Sequence, residues 1–236
     1  MGWGTLLETK AREIWIKSRG KRIDGQGLIG ADESVVRSGF ESLDDDGFDR
    51  YNLPQVWVER RQMPRVIHRR VPRSNARVLD LGCGPGYSTE ILCHFADASW
   101  RITGFDLIEH SIERARQRSR DGGFVNAQGQ RLNPEFVCQS ITEPLVDGSG
   151  LVAANSVDLA ISGGVVGLYL HAYQGRRLLS ELRRVVRPGG FIALDAGPSI
   201  PVAALRRLGE RAGFAFVSRV GCVPLDPRPK LVFRKA

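Results

Sequence analysis

The residues best suited to chemistry are glycines bracketed by acids. Gly82, Gly84 and Gly86 lie in the string Val78-Leu79-Asp80-Leu81-Gly82-Cys83-Gly84-Pro85-Gly86-Tyr87. Lacking a Cβ, they let the backbone turn sharply and let a ligand come close to it. A short apolar run precedes them, and Ile91, Leu92 and Phe95 follow at helical spacing, which reads strand, turn, helix. Free N–H groups at such a helix start favour an anionic ligand group. Asp80 stands just before the loop, and Asp106 closes the next apolar run. A carboxylate there has two oxygens with spare lone pairs, enough to accept from two neighbouring hydroxyls. A dinucleotide loop wants G-x-G-x-x-G. Here Tyr87 holds the third glycine position and the spacing is G-x-G-x-G, which counts against a dinucleotide.

A general base is a separate question. Among His68, His94, His110 and His171, the last follows the fourth expected strand and is best placed to take a proton, with Tyr169 beside it. The unperturbed imidazole pKa of about 6.5 suits that role. The alternative reading of His171 is a helix-start histidine that shapes a pocket.

These residues need a scaffold, and the pattern supplies one. From Arg77 onward strands and helices alternate: strands at 77–81, 100–106, 135–138, 157–161 and 191–195, with helices near 86–96, 109–120 and 172–187. A helix at 201–212 precedes two runs, 214–218 and 229–233, with no helix between them. This predicts an α/β fold: a doubly wound, mostly parallel seven-stranded sheet with an antiparallel last strand. Ahead of it stands a helical N-terminal extension. Residues 5–18 carry Leu6, Leu7, Ala11, Ile14 and Trp15 at helical spacing. Residues 19–31 are glycine-rich and read as a loop. Asp32 is placed to cap a short helix with Val35, Val36 and Phe40. Asp44-Asp45-Asp46-Gly47 reads as a turn, Pro54 as the first residue of a helix, and Pro64 as its kink or break. The expected organisation is residues 1–73 as a helical cap or lid and 74–236 as the core, one compact domain overall.

The string VLDLGCGPG resembles the first motif of the class I S-adenosylmethionine-dependent methyltransferases, and the strand and helix order extends the resemblance over roughly residues 76–236. It implies a Rossmann-like core with S-adenosyl-L-methionine as cofactor. Gly82, Cys83, Gly84 and Gly86 would wrap its methionine end, and Asp80 would reach its amino group directly or through water. Asp106 would take the ribose hydroxyls, with Leu107 and Ile108 against the adenine. Members of the family often carry an acid after strand three for the adenine amino group; this chain has Gln139, Ser140 and Ile141 there. Ser162 and Gly163 close strand four beside the expected methyl. The Asn/Asp-Pro-Pro-Tyr/Phe motif of nucleic-acid amino-methyltransferases is absent from that position. Arg187-Pro188-Gly189-Gly190 matches the family's turn into strand five. In related enzymes the N-terminal segment covers the cofactor and shapes the substrate pocket, here with Trp3, Trp15, Tyr51 and Trp57 as an aromatic lid.

Composition narrows the function further. The net charge of +8 is mostly arginine, mixed with acids except in the cluster Arg60, Arg61, Arg65, Arg69, Arg70 and Arg73. That cluster reads as a solvated helix face or as a site for RNA or another anion. No apolar run approaches the roughly 20 residues of a membrane helix, and the start lacks a signal-peptide pattern. Cys83, Cys93, Cys138 and Cys222 form no C-x-x-C pair, so no metal site is expected and free thiols in a cytoplasmic setting are. The expectation is a transferase that methylates a small-molecule acceptor on O, N or C. Two alternatives stand beside it: an RNA or protein methyltransferase using the arginine cluster, and a non-catalytic cofactor-binding protein.

Overall fold

The computed structural model describes residues 28–68, 70–221 and 228–236. The expected helix at 5–18, most of the loop at 19–31, Trp3, Trp15, Arg69, Cys222 and the side chain of Tyr51 lie outside the described residues. Two helices open the described chain, α1 (Glu33–Glu41) and α2 (Asp45–Ile67). The core follows as β1 (Arg77–Leu81), α3 (Tyr87–Phe95), β2 (Arg101–Asp106), α4 (Glu109–Arg120) and β3 (Glu135–Cys138). A small hairpin, β4 (Val146–Asp147) with β5 (Gly150–Leu151), precedes β6 (Val157–Ser162). Then come α5 (Val166–Tyr169), α6 (Ala172–Val185), β7 (Val186–Asp195), α7 (Val202–Arg211), β8 (Phe214–Val220) and β9 (Lys230–Lys235).

The seven-stranded sheet has the order β3-β2-β1-β6-β7-β9-β8. β9 runs antiparallel to both its neighbours, and the other pairings are parallel. Strand alternation sends residues to opposite faces, and the core divides accordingly. Leu79, Leu81, Ala160, Ile192 and Leu194 pack with Leu178, Leu182 and Leu205 of α6 and α7. Val78, Leu159, Ile161 and Ala193 pack with Met63 and Val66 of α2, Leu92 of α3 and Ile112 of α4. Helices therefore cover both faces. β1 and β6 are buried along their whole length, as central strands of such a sheet must be.

Local differences from the sequence reading have physical causes. Asp44–Gly47 is no free turn: Asp44 caps α2, its Oδ1 accepting the Gly47 N–H at 2.7 Å. The helix then runs unbroken through Pro54 and Pro64, because Val56, Glu59, Met63 and Val66 recur at 3 to 4 residues and seat one stripe on the core. Asp32 holds the N-cap position of α1, yet its side chain makes no capping hydrogen bond. Helix α6 stops at Val185, and Arg187-Pro188-Gly189-Gly190 belongs to β7 as an irregularity in its pairing with β6. The short helix α5 and the β4–β5 hairpin had no clear sequence signal.

Candidate active site

A cavity opens outside the carboxyl ends of β1, β2, β3 and β6. That is where open parallel sheets bind ligands. One wall is the glycine loop. Gly82 and Gly84 have φ of +78° and +52°, the left-handed region open to glycine at little cost. A Cβ on Gly82 would stand 2.2 Å from Val165 Cγ2, so the loop also needs glycine to lie against the β6–α5 turn. The Gly82 and Cys83 N–H groups both donate to the Phe105 carbonyl, and the Gly84 N–H donates to Asp106 Oδ2 at 2.8 Å. Asp106 Oδ1 accepts the Ile108 N–H at 3.0 Å. One carboxylate thus ties the loop to the end of β2. Loss of water pushes that carboxyl above its usual range, against the pull of the Ile108 and Gly84 N–H groups.

Of the expected site residues, Gly82, Cys83, Gly84, Asp106, Leu107, Ser140, Ile141, Gly163 and Tyr169 stand in the cavity wall. Leu107, Ile108 and Ile141 make an apolar patch beyond Asp106, suited to a flat ring. The Ser140 hydroxyl donates to Glu33 Oε1 of α1 at 2.7 Å. Tyr169 is buried, its ring edge-on to Phe40 with centroids 5.3 Å apart.

Five expected residues are not brought to the wall. Asp80 is buried behind the loop, where its Oδ2 accepts from the Ser88 and Thr89 hydroxyls at 2.6 and 2.7 Å. Burial raises its carboxyl, and those two hydroxyls oppose the rise. Gly86 turns the chain into α3 and faces Phe124, whose Cζ would stand 2.9 Å from an added Cβ. Gln139 pins its own loop, donating to the Pro144 carbonyl and accepting the Val146 N–H. Ser162 donates to Asp195 Oδ1 at 2.6 Å and is fully buried. His171 is the N-cap of α6: its Nδ1 accepts the Gln174 N–H at 3.4 Å, and Gln174 Oε1 accepts the His171 N–H at 2.9 Å. This reciprocal pair is a capping box, and it places the imidazole away from the cavity.

The sequence reading expected the N-terminal segment to cover the site but did not single out the wall residues that α1 and α2 supply. Glu33, Val36, Phe40, Phe48, Gln55 and Glu59 all face the cavity. Phe48 sits over Gly84, within 3.3 Å of where a Cβ would lie. Glu59 is 2% exposed, and its Oε1 accepts from Lys230 Nζ at 2.8 Å and from Gln55 Nε2 at 2.7 Å. Burial raises the Glu59 carboxyl, and the Lys230 charge opposes the rise. Val56, Glu59 and Met63 share one helical stripe, so an acid inside an apolar stripe was the available signal.

The wall suits the group that the glycine loop implies. It holds three carboxylates, of Glu33, Glu59 and Asp106, and no Lys, Arg or His among the described residues. Such a wall accepts a sulfonium cation. Its glycine loop, ribose-competent acid and apolar patch follow one another in the order that S-adenosylmethionine would need. Among the described residues no group of three His, Cys, Asp or Glu side chains could hold a metal ion, and no helix is long and apolar enough to cross a membrane.

Comparison with known proteins agrees with this geometry. Residues 79–194 match the family described as "Methyltransferase domain". A trans-aconitate 2-methyltransferase from Methylobacterium nodulans is 34% identical over 146 residues, 61% of this chain and 47% of that one. The chain spans between 30% and 47% of the length of the first curated relatives it matches. The fold is that of a TehB-like methyltransferase from Corynebacterium glutamicum (TM-score 0.56, 20% identity, 75% of this chain and 87% of that one). The same fold occurs in the [4+2]-cyclase SpnF (TM-score 0.57, 17% identity, 75% and 81% covered). Residues 79–194 thus carry a methyltransferase domain, and with its Rossmann-like sheet the chain has the fold of the class I S-adenosylmethionine-dependent methyltransferases.

Proposed function

We propose that the protein transfers a methyl group from S-adenosylmethionine to a small-molecule acceptor. The observation that carries this reading is the roofing of the site: α1 and α2 lie over the glycine loop and the β6–α5 turn and close one side of the cavity. Its wall is mostly apolar with a few placed polar groups, which is the make-up of small-ligand sites. Residues 1–73 serve as a cap over the core of residues 74–236. Gly82, Cys83 and Gly84 hold the methionine end, Asp106 the ribose, and Leu107, Ile108, Ser140 and Ile141 the adenine. The cofactor, when bound, supplies an electrophilic methyl on a sulfonium. The protein's part is to fix the acceptor in line with it and to keep water out, which is where most of such a rate effect arises.

Macromolecular acceptors fit less well. Arg65 donates to the Gly221 carbonyl, Arg70 to Ser218 Oγ, and the Arg61 guanidinium lies 3.4 Å over the Trp57 ring. Part of the basic cluster is thus spent inside the molecule.

Calorimetry with S-adenosylhomocysteine tests the reading. Micromolar binding is expected, and Asp106→Ala should weaken it by about 1.5–3 kcal/mol through lost charge-assisted hydrogen bonds. Absence of binding to the wild-type chain refutes the cofactor and with it the function.

A further inference from the structure

We propose that Glu59 is a binding residue for a protonated amine, held where helix α2 meets Gly163 and Gly164. The inference rests on the methyl-transfer reading. Glu59 Oε2 is the one buried side-chain oxygen or nitrogen without a hydrogen-bond partner among the described residues. A buried carboxylate oxygen left unpaired is costly, so its retention in a cavity wall points to a donor that arrives with the ligand. Everything else about the carboxyl is fixed. Oε1 is held by Lys230 and Gln55, and the carboxyl packs so closely on Gly163 that an added Cβ there would stand 2.4 Å from Oε1. Gly164 likewise makes room for Gln55, 2.8 Å from its would-be Cβ.

The charge balance selects an amine over a neutral hydroxyl. Lys230 is the cation of this region and stands outside the wall, whereas its surroundings hold Glu59, Asp80 and Asp195. With Glu33 and Asp106 added, carboxylates outnumber the cation, and a ligand ammonium reduces the imbalance. The donor has two sources of one chemistry: the α-ammonium of the cofactor, or an amine on the acceptor. Asp80, the acid that the sequence suggested for that ammonium, is not part of the cavity wall, and its Oδ2 already accepts from Ser88 and Thr89.

The test is Glu59→Gln, which keeps an Oε1 acceptor for Lys230 and Gln55 and replaces the free oxygen by an N–H donor. Calorimetry would compare S-adenosylhomocysteine, which carries the ammonium, with 5′-methylthioadenosine, which does not. At least a tenfold loss for the first with less than a threefold change for the second assigns Glu59 to the cofactor's ammonium. Unchanged affinity for both, with loss of tyramine binding to the S-adenosylhomocysteine-loaded protein by NMR, assigns it to an acceptor amine. If the variant binds all three probes as the wild type does, the proposal is overturned. So it is if wild type binds S-adenosylhomocysteine while both measurements show no dependence on residue 59. Failure of wild type to bind S-adenosylhomocysteine would instead refute the function. Should Glu59→Gln not fold, the pair Lys230→Met with Glu59→Gln leaves no lone buried charge and takes the same readings.

Discussion

Replacing Lys230 by Met should expose how the cavity roof is held. Lys230 is fully buried on β9, and its Nζ donates to Glu59 Oε1 at 2.8 Å and to the Ser162 carbonyl. At that distance opposite charges attract by about 6 kcal/mol at an effective dielectric of about 20. Desolvating both ions cancels much of this, so the pair adds little over an apolar pair. Removing one partner is different. It leaves Glu59 as an uncompensated buried charge, at about 3–5 kcal/mol. Glu59 can escape by taking a proton, because burial already raises its pKa and Lys230 is what opposes the rise. A carboxyl raised in the folded state contributes stability that is fully present below its unfolded pKa of about 4.3 and is lost as pH rises through the folded value. The Lys230→Met loss should therefore be small near pH 5 and approach its full size near pH 8. Adding Glu59→Leu should recover most of it at pH 8. Urea unfolding of wild type, both single variants and the double, at both pH values, closes the cycle. A single-variant loss independent of pH, or a double variant as unstable as the sum of the singles, refutes the reasoning.

Two further outcomes follow from the positions of His171 and Asp80. His171→Ala should cost about 0.5–1 kcal/mol through the lost cap, a fall of a few degrees in Tm, with S-adenosylhomocysteine affinity within twofold; a tenfold loss of affinity would put the imidazole back at the cavity. Burial raises the Asp80 carboxyl, so its stabilising contribution belongs to the acid side and is lost as pH climbs through the raised value. Asp80→Asn should accordingly gain stability relative to wild type between pH 5 and pH 8 in thermal melts, and an unchanging difference would refute the assignment.

The core was legible because its signals are local. Arg77–Leu81, Glu135–Cys138 and the helix Glu109–Arg120 fall where the apolar runs and helical spacing put them, and the missing helix between β8 and β9 foretold an antiparallel strand. The roof was not legible in the same way. Proline chemistry suggested that the chain would start a helix at Pro54 and break it at Pro64, but burial of the Val56–Val66 stripe carries α2 through both. His171 was placed by its distance from strand four. Gln174 three residues later was the competing signal, because a reciprocal cap satisfies two N–H groups at once. Asp80 was likewise assigned outward from a strand whose residues are buried on both faces, and Ser88 and Thr89 one helical turn into α3 claim its oxygen first. In each case a local hydrogen-bond partner holds the side chain.

Glu59 shows the opposite situation, and it bears on selectivity. Its partner Lys230 lies 171 residues away in sequence, so no local pattern could reveal the pair, and the residues around it, Arg60 and Arg61, suggest a solvated basic face. The fold turns that acid inward and satisfies only one of its oxygens. A site with a buried unpaired acceptor discriminates strongly, because a ligand lacking the donor leaves the acceptor unpaired while a ligand carrying it removes the cost. The apolar part of the wall, from Leu107 to Ile141, has no such leverage: an added or missing methylene there is worth only about 1–3 kcal/mol. On the proposed role of Glu59, discrimination among ligands is concentrated at the α2 end of the cavity, beside Gly163, and not at the apolar patch. On the proposed reading the glycine loop fixes where a ligand lies, while the roof, built by α1 and α2 from sequence outside the matched stretch of residues 79–194, decides which ligand is kept.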